Sequence, residues 1–157
     1  MKPQVGVSAT EPLWRVFEVA CYVDHAVAVW TARLGSWWPA DHTVSGQPER
    51  VGMECAVGGR IYELTTGGIE HEWGRVTAFE PPTRLAYTWH LGRDPRAATD
   101  VEIRFSGVDD GRTRVEIDHR GWSRLGASAA EWRDRNRMGW QTLLPHYRTA
   151  TTNGELA

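Results

Sequence analysis

Between residues 99 and 120 apolar and polar side chains alternate with few interruptions. Val101, Ile103 and Phe105 oppose Asp100, Glu102 and Arg104, and Val115 and Ile117 oppose Arg114, Glu116 and Asp118. A period of two belongs to strands with one covered and one wet face. The same period reaches back to residue 51 and predicts strands at 51–57, 59–65, 70–79, 84–91, 99–107 and 112–120. They are separated by Gly58-Gly59, Gly67-Gly68, Pro81-Pro82, the 92–98 loop and Asp110-Gly111. Connections this short make antiparallel hairpins, not helical crossovers. An earlier strand is predicted at 14–22, with Phe17, Val19 and Cys21 on one face.

Two segments change period. After Asp24, a good N-cap, Val27, Trp30 and Leu34 follow at helical spacing, with Gly35 as the expected C-terminal stop. Ser36 is read as the cap of a further short turn carrying Trp37 and Trp38, closed by Pro39. Near the end, residues 128–147 place Trp132, Asn136, Trp140, Leu143 and Tyr147 on one helical side, opposite Glu131, Arg133, Asp134 and Arg137. Pro145 lacks an N–H, so the helix is expected to kink or end near Leu144. The order predicts an α+β helix-grip fold. In it a curved antiparallel sheet of about six or seven strands wraps a long C-terminal helix, with short helices after the first strand.

Composition adds bounds. A chain of 157 residues is one domain in size and buries a core without staples. The domain is expected at 12–148, with 1–11 and 149–157 as flexible termini. A net charge of -2 gives no basic footprint, so neither nucleic acid nor an anionic membrane is an expected partner. Cys21 and Cys55 form no CxxC, and no apolar run approaches a membrane span, so a cytoplasmic location is the default. Nine tryptophans either fill a core or line a pocket for a flat ligand.

The element order carries a set of motifs: Val29-Trp30, Trp37-Trp38, Gly58-Gly59-Arg60, Gly74, Val76, and Glu80-Pro81-Pro82-Thr83-Arg84-Leu85 followed by Tyr87-Thr88-Trp89. His119-Arg120-Gly121-Trp122 and Gly139-Trp140 complete it. In order and spacing these resemble the START-like (SRPBCC) superfamily, and within it the group related to the C-terminal domain of the Hsp90 ATPase activator. The resemblance implies a hydrophobic cavity between sheet and long helix. Its expected lining is Ile61, Leu85, Tyr87, Trp89, Val101, Ile103, Val115, Ile117 and His119 from the sheet. Trp132, Asn136, Gly139, Trp140 and Leu143 come from the helix, with Trp30 at one end.

Chemistry is sparse. His119 is in phase with Val115 and Ile117 and points inward, either hydrogen-bonded into the core or available as an acid or base. Glu63 is in phase with Ile61, and a buried carboxylate needs a partner. An arginine pairing is the expected arrangement, with general-base work as the alternative. Asp41-His42 and His71-Glu72 lack a third ligand at metal-site spacing and read as surface, so neither metal nor cofactor is expected. There is no GxSxG, phosphate loop or dinucleotide fingerprint.

The leading expectation is a monomer or homodimer that binds a hydrophobic, aromatic or polyketide-like small molecule without catalysis. The resemblance implies two alternatives. One is a self-sacrificing resistance protein that sequesters an enediyne and is cleaved at a glycine, with Gly59, Gly121 and Gly139 as candidates. The other is a polyketide cyclase or aromatase using His119 and Glu63. A chaperone-partner role ranks last.

Overall fold

The strong alternation at the end of the sheet segment forms two long neighbouring strands, β6 (Thr99–Asp109) and β7 (Arg112–Arg120). Their antiparallel register sets Ile103 opposite Ile117, Phe105 opposite Val115 and Val101 opposite His119, so one face is continuous apolar surface. The computed structural model describes residues 10–109 and 111–152. In chain order the remaining elements are β1 (Leu13–Val19), α1 (Val23–Trp30), β2 (Pro48–Met53), β3 (Arg60–Thr65), β4 (Glu70–Glu80), β5 (Arg84–Trp89) and α2 (Ala129–Thr152). All seven strands join one curled antiparallel sheet in the order β1-β7-β6-β5-β4-β3-β2.

The first strand therefore pairs with the last, Leu13 opposite His119 and Phe17 opposite Val115. Register shifts at Ile61/Tyr62 and Val76/Ala78 bend the strands around the helix. Gly74 lets β4 pass close to β5: a Cβ there would stand 1.8 Å from the Thr88 carbonyl oxygen. From the other side α2 buries Trp140, Leu143, Leu144, Tyr147 and Thr151 against this face. Tyr147 also ties α2 to α1, its hydroxyl donating to the Ala26 carbonyl at 2.7 Å. The helix-grip architecture is thus as the alternation predicts.

Several boundaries differ. Helix α1 starts at Val23 and ends at Trp30, with Tyr22 and not Asp24 in the capping position. The Thr31 hydroxyl turns back onto the Val27 carbonyl at 2.8 Å and closes the last turn early. Gly35 sits instead inside a short 3-10 turn, Leu34–Ser36. Close approach requires it, since a Cβ would lie 2.4 Å from the Val51 carbonyl oxygen. Trp37 and Trp38 follow that turn, and a second one covers Ala40–His42. Strand β2 stops at Met53 because residues 54–59 fold into a tight loop. There the Glu54 carboxylate accepts from both the Arg60 amide and its guanidinium.

Pro145 neither ends nor breaks α2, which continues to Thr152. The proline lies on the exposed side of the helix, as does Gln141, whose carbonyl it leaves without a helical donor. Tyr147 and Thr151 hold the following turns to the core. Of the termini expected to be loose, 1–11 and 149–157, residues 1–9 and 153–157 lie outside the described residues, while 149–152 continue α2.

Candidate functional site

A cavity of about 270 Å³ lies where the segment after α1, the end of β5 and one face of α2 converge. Four indoles line it: Trp38, Trp89, Trp132 and Trp140, with Leu91 and Leu143. The polar contributions are Asp41, His42 and Thr43 from the loop and Arg135 and Asn136 from α2, and Gly139 completes the helical wall. Mostly apolar walls with a few placed polar groups are the ordinary make-up of a small-molecule site.

The aromatic wall is held from behind. Trp38 packs at 5.2 Å on Trp73 and 5.7 Å on Trp89, in tilted orientations that suit their quadrupoles. The Trp38 indole N–H donates to the His42 carbonyl at 2.8 Å, folding the 38–42 segment over the cavity mouth. The His42 ring then meets α2, with Nε2 3.1 Å from the Thr142 hydroxyl and 3.9 Å from the Asp41 carboxylate. Nothing in the residue pattern singles out His42 beyond its neighbour Asp41, because its position depends on a loop fold and a partner 100 residues away.

Glu63 is fully buried, and no arginine pairs with it. Its carboxylate accepts from the Val44 amide at 2.6 Å, the Ser45 amide at 3.0 Å and hydroxyl at 2.6 Å, and the Trp73 indole at 2.8 Å. Burial pushes its pKa up, but the Ser45, Val44 and Trp73 donors outweigh this and hold the carboxyl below the usual glutamate range. A carboxylate with every lone pair so engaged is a fastener for the mouth segment and a poor base.

His119 is equally enclosed. The Trp140 indole N–H donates to Nδ1 at 3.0 Å, so the ring proton sits on Nε2, which faces the Thr99 hydroxyl at 2.7 Å. Thr99 passes its own proton to the Trp89 carbonyl at 3.2 Å. Burial, with the nearby Arg93 charge adding to it, pulls the imidazole down to about 3. The ring is neutral, both nitrogens are occupied, and it lies behind the cavity wall.

The expected lining thus divides into two sets. Trp89, Trp132, Asn136, Gly139, Trp140 and Leu143 face the cavity. Trp30, Ile61, Leu85, Tyr87, Val101, Ile103, Val115 and Ile117 form the packed core beneath it, none more than 3% exposed. Of the three glycines, Gly59 abuts the Glu54 backbone and Gly121 turns under Arg124 at φ +95, while Gly139 reaches the cavity. Among the described residues no group of three or more His, Cys, Asp or Glu side chains converges to hold a metal, and no helix is long and apolar enough to cross a membrane.

A curled sheet gripping a long C-terminal helix over an aromatic cavity defines a START-like domain. The family model for Activator of Hsp90 ATPase homolog 1-like protein matches residues 22–146, and the chain belongs to that family. No curated protein matches it. Among solved structures it is similar to Txn09, described as an anthrahydroquino-γ-pyrone synthase complexed with SUM. The two are 33% identical over 84% of this chain and 90% of that one, at a TM-score of 0.57. It is also similar to CalC from Micromonospora echinospora, a self-sacrificing resistance protein, at 26% identity, 92% and 96% coverage and a TM-score of 0.67. Protein MLL2253 from Mesorhizobium loti, 16% identical with 92% and 98% coverage and a TM-score of 0.66, shares the fold.

Proposed function

We propose that the protein binds a flat, aromatic, polyketide-like small molecule in the cavity between β5, the 38–43 segment and α2. The observation that carries this reading is the convergence of Trp38, Trp89, Trp132 and Trp140 on one small cavity. Indole faces stack on fused rings and exclude water at little conformational cost. The volume suits two or three fused rings, since it lies just below the range of drug-sized sites, about 300–1,000 Å³. Similarity to Txn09 and CalC supports a small-molecule role.

A second reading, a ring-forming enzyme, is favoured by the 33% identity to the Txn09 synthase. His119 and Glu63 are poor candidates for its acid–base step, because their lone pairs and protons are already engaged. His42, at the cavity with Asp41 beside it, is the better one.

Titration of intrinsic fluorescence with a panel of hydroxyanthraquinones tests the binding reading. Saturable quenching is the expected result, lost in a Trp132→Ala variant that retains its circular dichroism. A panel without a single quencher overturns it.

A further inference from the structure

The cavity carries an uneven charge that its apolar walls do not require. Trp132 is flanked by two guanidiniums: the Arg135 Cζ lies 4.5 Å from its ring centroid and the Arg93 Cζ 5.1 Å. Neither arginine forms an ion pair among the described residues, whereas Arg60, Arg84, Arg112 and Arg120 each do. Arg93 is partly buried in the β5–β6 connection. Its two terminal nitrogens donate to the Trp89 and Ala97 carbonyls, with a longer contact to the Thr99 hydroxyl, and its Nε has no partner among the described residues. A desolvated cation with only neutral partners is costly, and burial pulls this guanidinium down to about 10 while leaving it charged at neutral pH.

Arg135 lies at the cavity itself, its planar group stacked on the same indole that forms the wall. The one carboxylate lining the cavity, Asp41, is exposed and makes its 3.9 Å contact with His42 instead. One end of the cavity therefore presents an unpaired positive charge backed by a second one in a low-dielectric setting, where such charges act most strongly.

We infer that the ligand carries an anionic oxygen, a carboxylate or an ionised phenol, bound at the Trp132 end by Arg135, with Arg93 supplying positive potential from behind the wall. Guanidinium planes match such oxygens in geometry as well as charge. Fused-ring polyketides with acidic ring substituents have this chemistry. The assignment rests on the binding reading above and adds the ligand's charge and orientation to it.

The test compares 4,5-dihydroxyanthraquinone-2-carboxylic acid with its methyl ester by fluorescence titration, in the wild type and in Arg135→Gln. Arg135 is exposed, so its replacement leaves the fold intact, which circular dichroism verifies. The wild type is expected to bind the acid about tenfold or more tightly than the ester, with the preference shrinking in added salt. Arg135→Gln is expected to bring the two within about threefold, by a larger loss for the acid than for the ester. Equal wild-type affinities overturn the anion site and leave the binding reading standing. A preference that survives in Arg135→Gln overturns the assignment to that residue. If neither compound binds, both readings fall.

Discussion

The indole N–H of Trp140 donates to Nδ1 of His119 at 3.0 Å, joining the middle of α2 to the centre of the sheet through a neutral imidazole. Because the folded ring titrates near 3, below the ordinary histidine value of 6.5, the unfolded chain binds a proton that the folded one refuses. Stability should therefore be full above about pH 6.5 and fall as the pH drops toward 3, at up to about 1.4 kcal/mol per unit. Urea denaturation between pH 4.5 and 7 reads this slope directly. A His119→Gln variant should be less stable at pH 7 by about 2–3 kcal/mol, with most of the slope gone. An unchanged slope would mean that another group sets it.

Glu63 fastens the mouth of the cavity from below. Its lowered pKa gives a loss of the same sign at lower pH: stability is present above the normal carboxylate range and is lost as the folded group is protonated. Replacement by glutamine keeps the size and removes the charge that four donors share. Glu63→Gln should cost about 1.5–3 kcal/mol in chemical denaturation. It should also weaken hydroxyanthraquinone binding, because the Val44 and Ser45 amides position the loop that carries Asp41, His42 and Thr43. A variant with lost stability and unchanged affinity would separate the fastener from the site.

Alternation made the sheet legible from sequence, since strict period two in residues 99–107 and 112–120 leaves one face for the core. It also identified His119 and Glu63 as inward, because phase along a strand is a local property. What they touch was not legible. Three of the four donors to Glu63 come from a loop about 20 residues earlier, and the fourth is Trp73 on the neighbouring strand. On the helix, spacing located Trp132, Asn136, Trp140 and Leu143, which reach the cavity together with Gly139, a residue that only the family resemblance singled out. The sheet residues Leu85, Tyr87, Val101, Ile103, Val115 and Ile117 were placed on the covered face, but periodicity cannot tell a packed face from a hollow one. His42 and Arg135 sit on exposed stretches without apolar phase, so only the folded loop and the stacked indole bring them to the site.

Pro145 marks where a local rule yielded to packing. It removes an amide from α2, yet the helix persists because Tyr147 and Thr151 are buried beyond it. The residue is exposed, so alanine fits without a clash and restores a backbone hydrogen bond. Pro145→Ala should raise stability by about 1–3 kcal/mol, a gain measurable as a higher melting temperature. A loss would show that the proline sets a bend the core requires.

Gly139 separates stability from binding. It lies mid-helix, and a Cβ built on it meets nothing within 4 Å, so the backbone there tolerates any side chain the cavity has room for. Alanine should stabilise the protein by about 0.5–1 kcal/mol through helix propensity alone. Leucine at the same place projects into the space between Trp132, Asn136 and Leu143, where the proposed ligand's rings would lie. Gly139→Leu should therefore melt no lower than wild type while losing hydroxyanthraquinone affinity about tenfold or more, through steric exclusion. Melting curves and fluorescence titrations on the same preparations check both halves. If the leucine variant binds as the wild type does, the molecule is held somewhere other than this cavity.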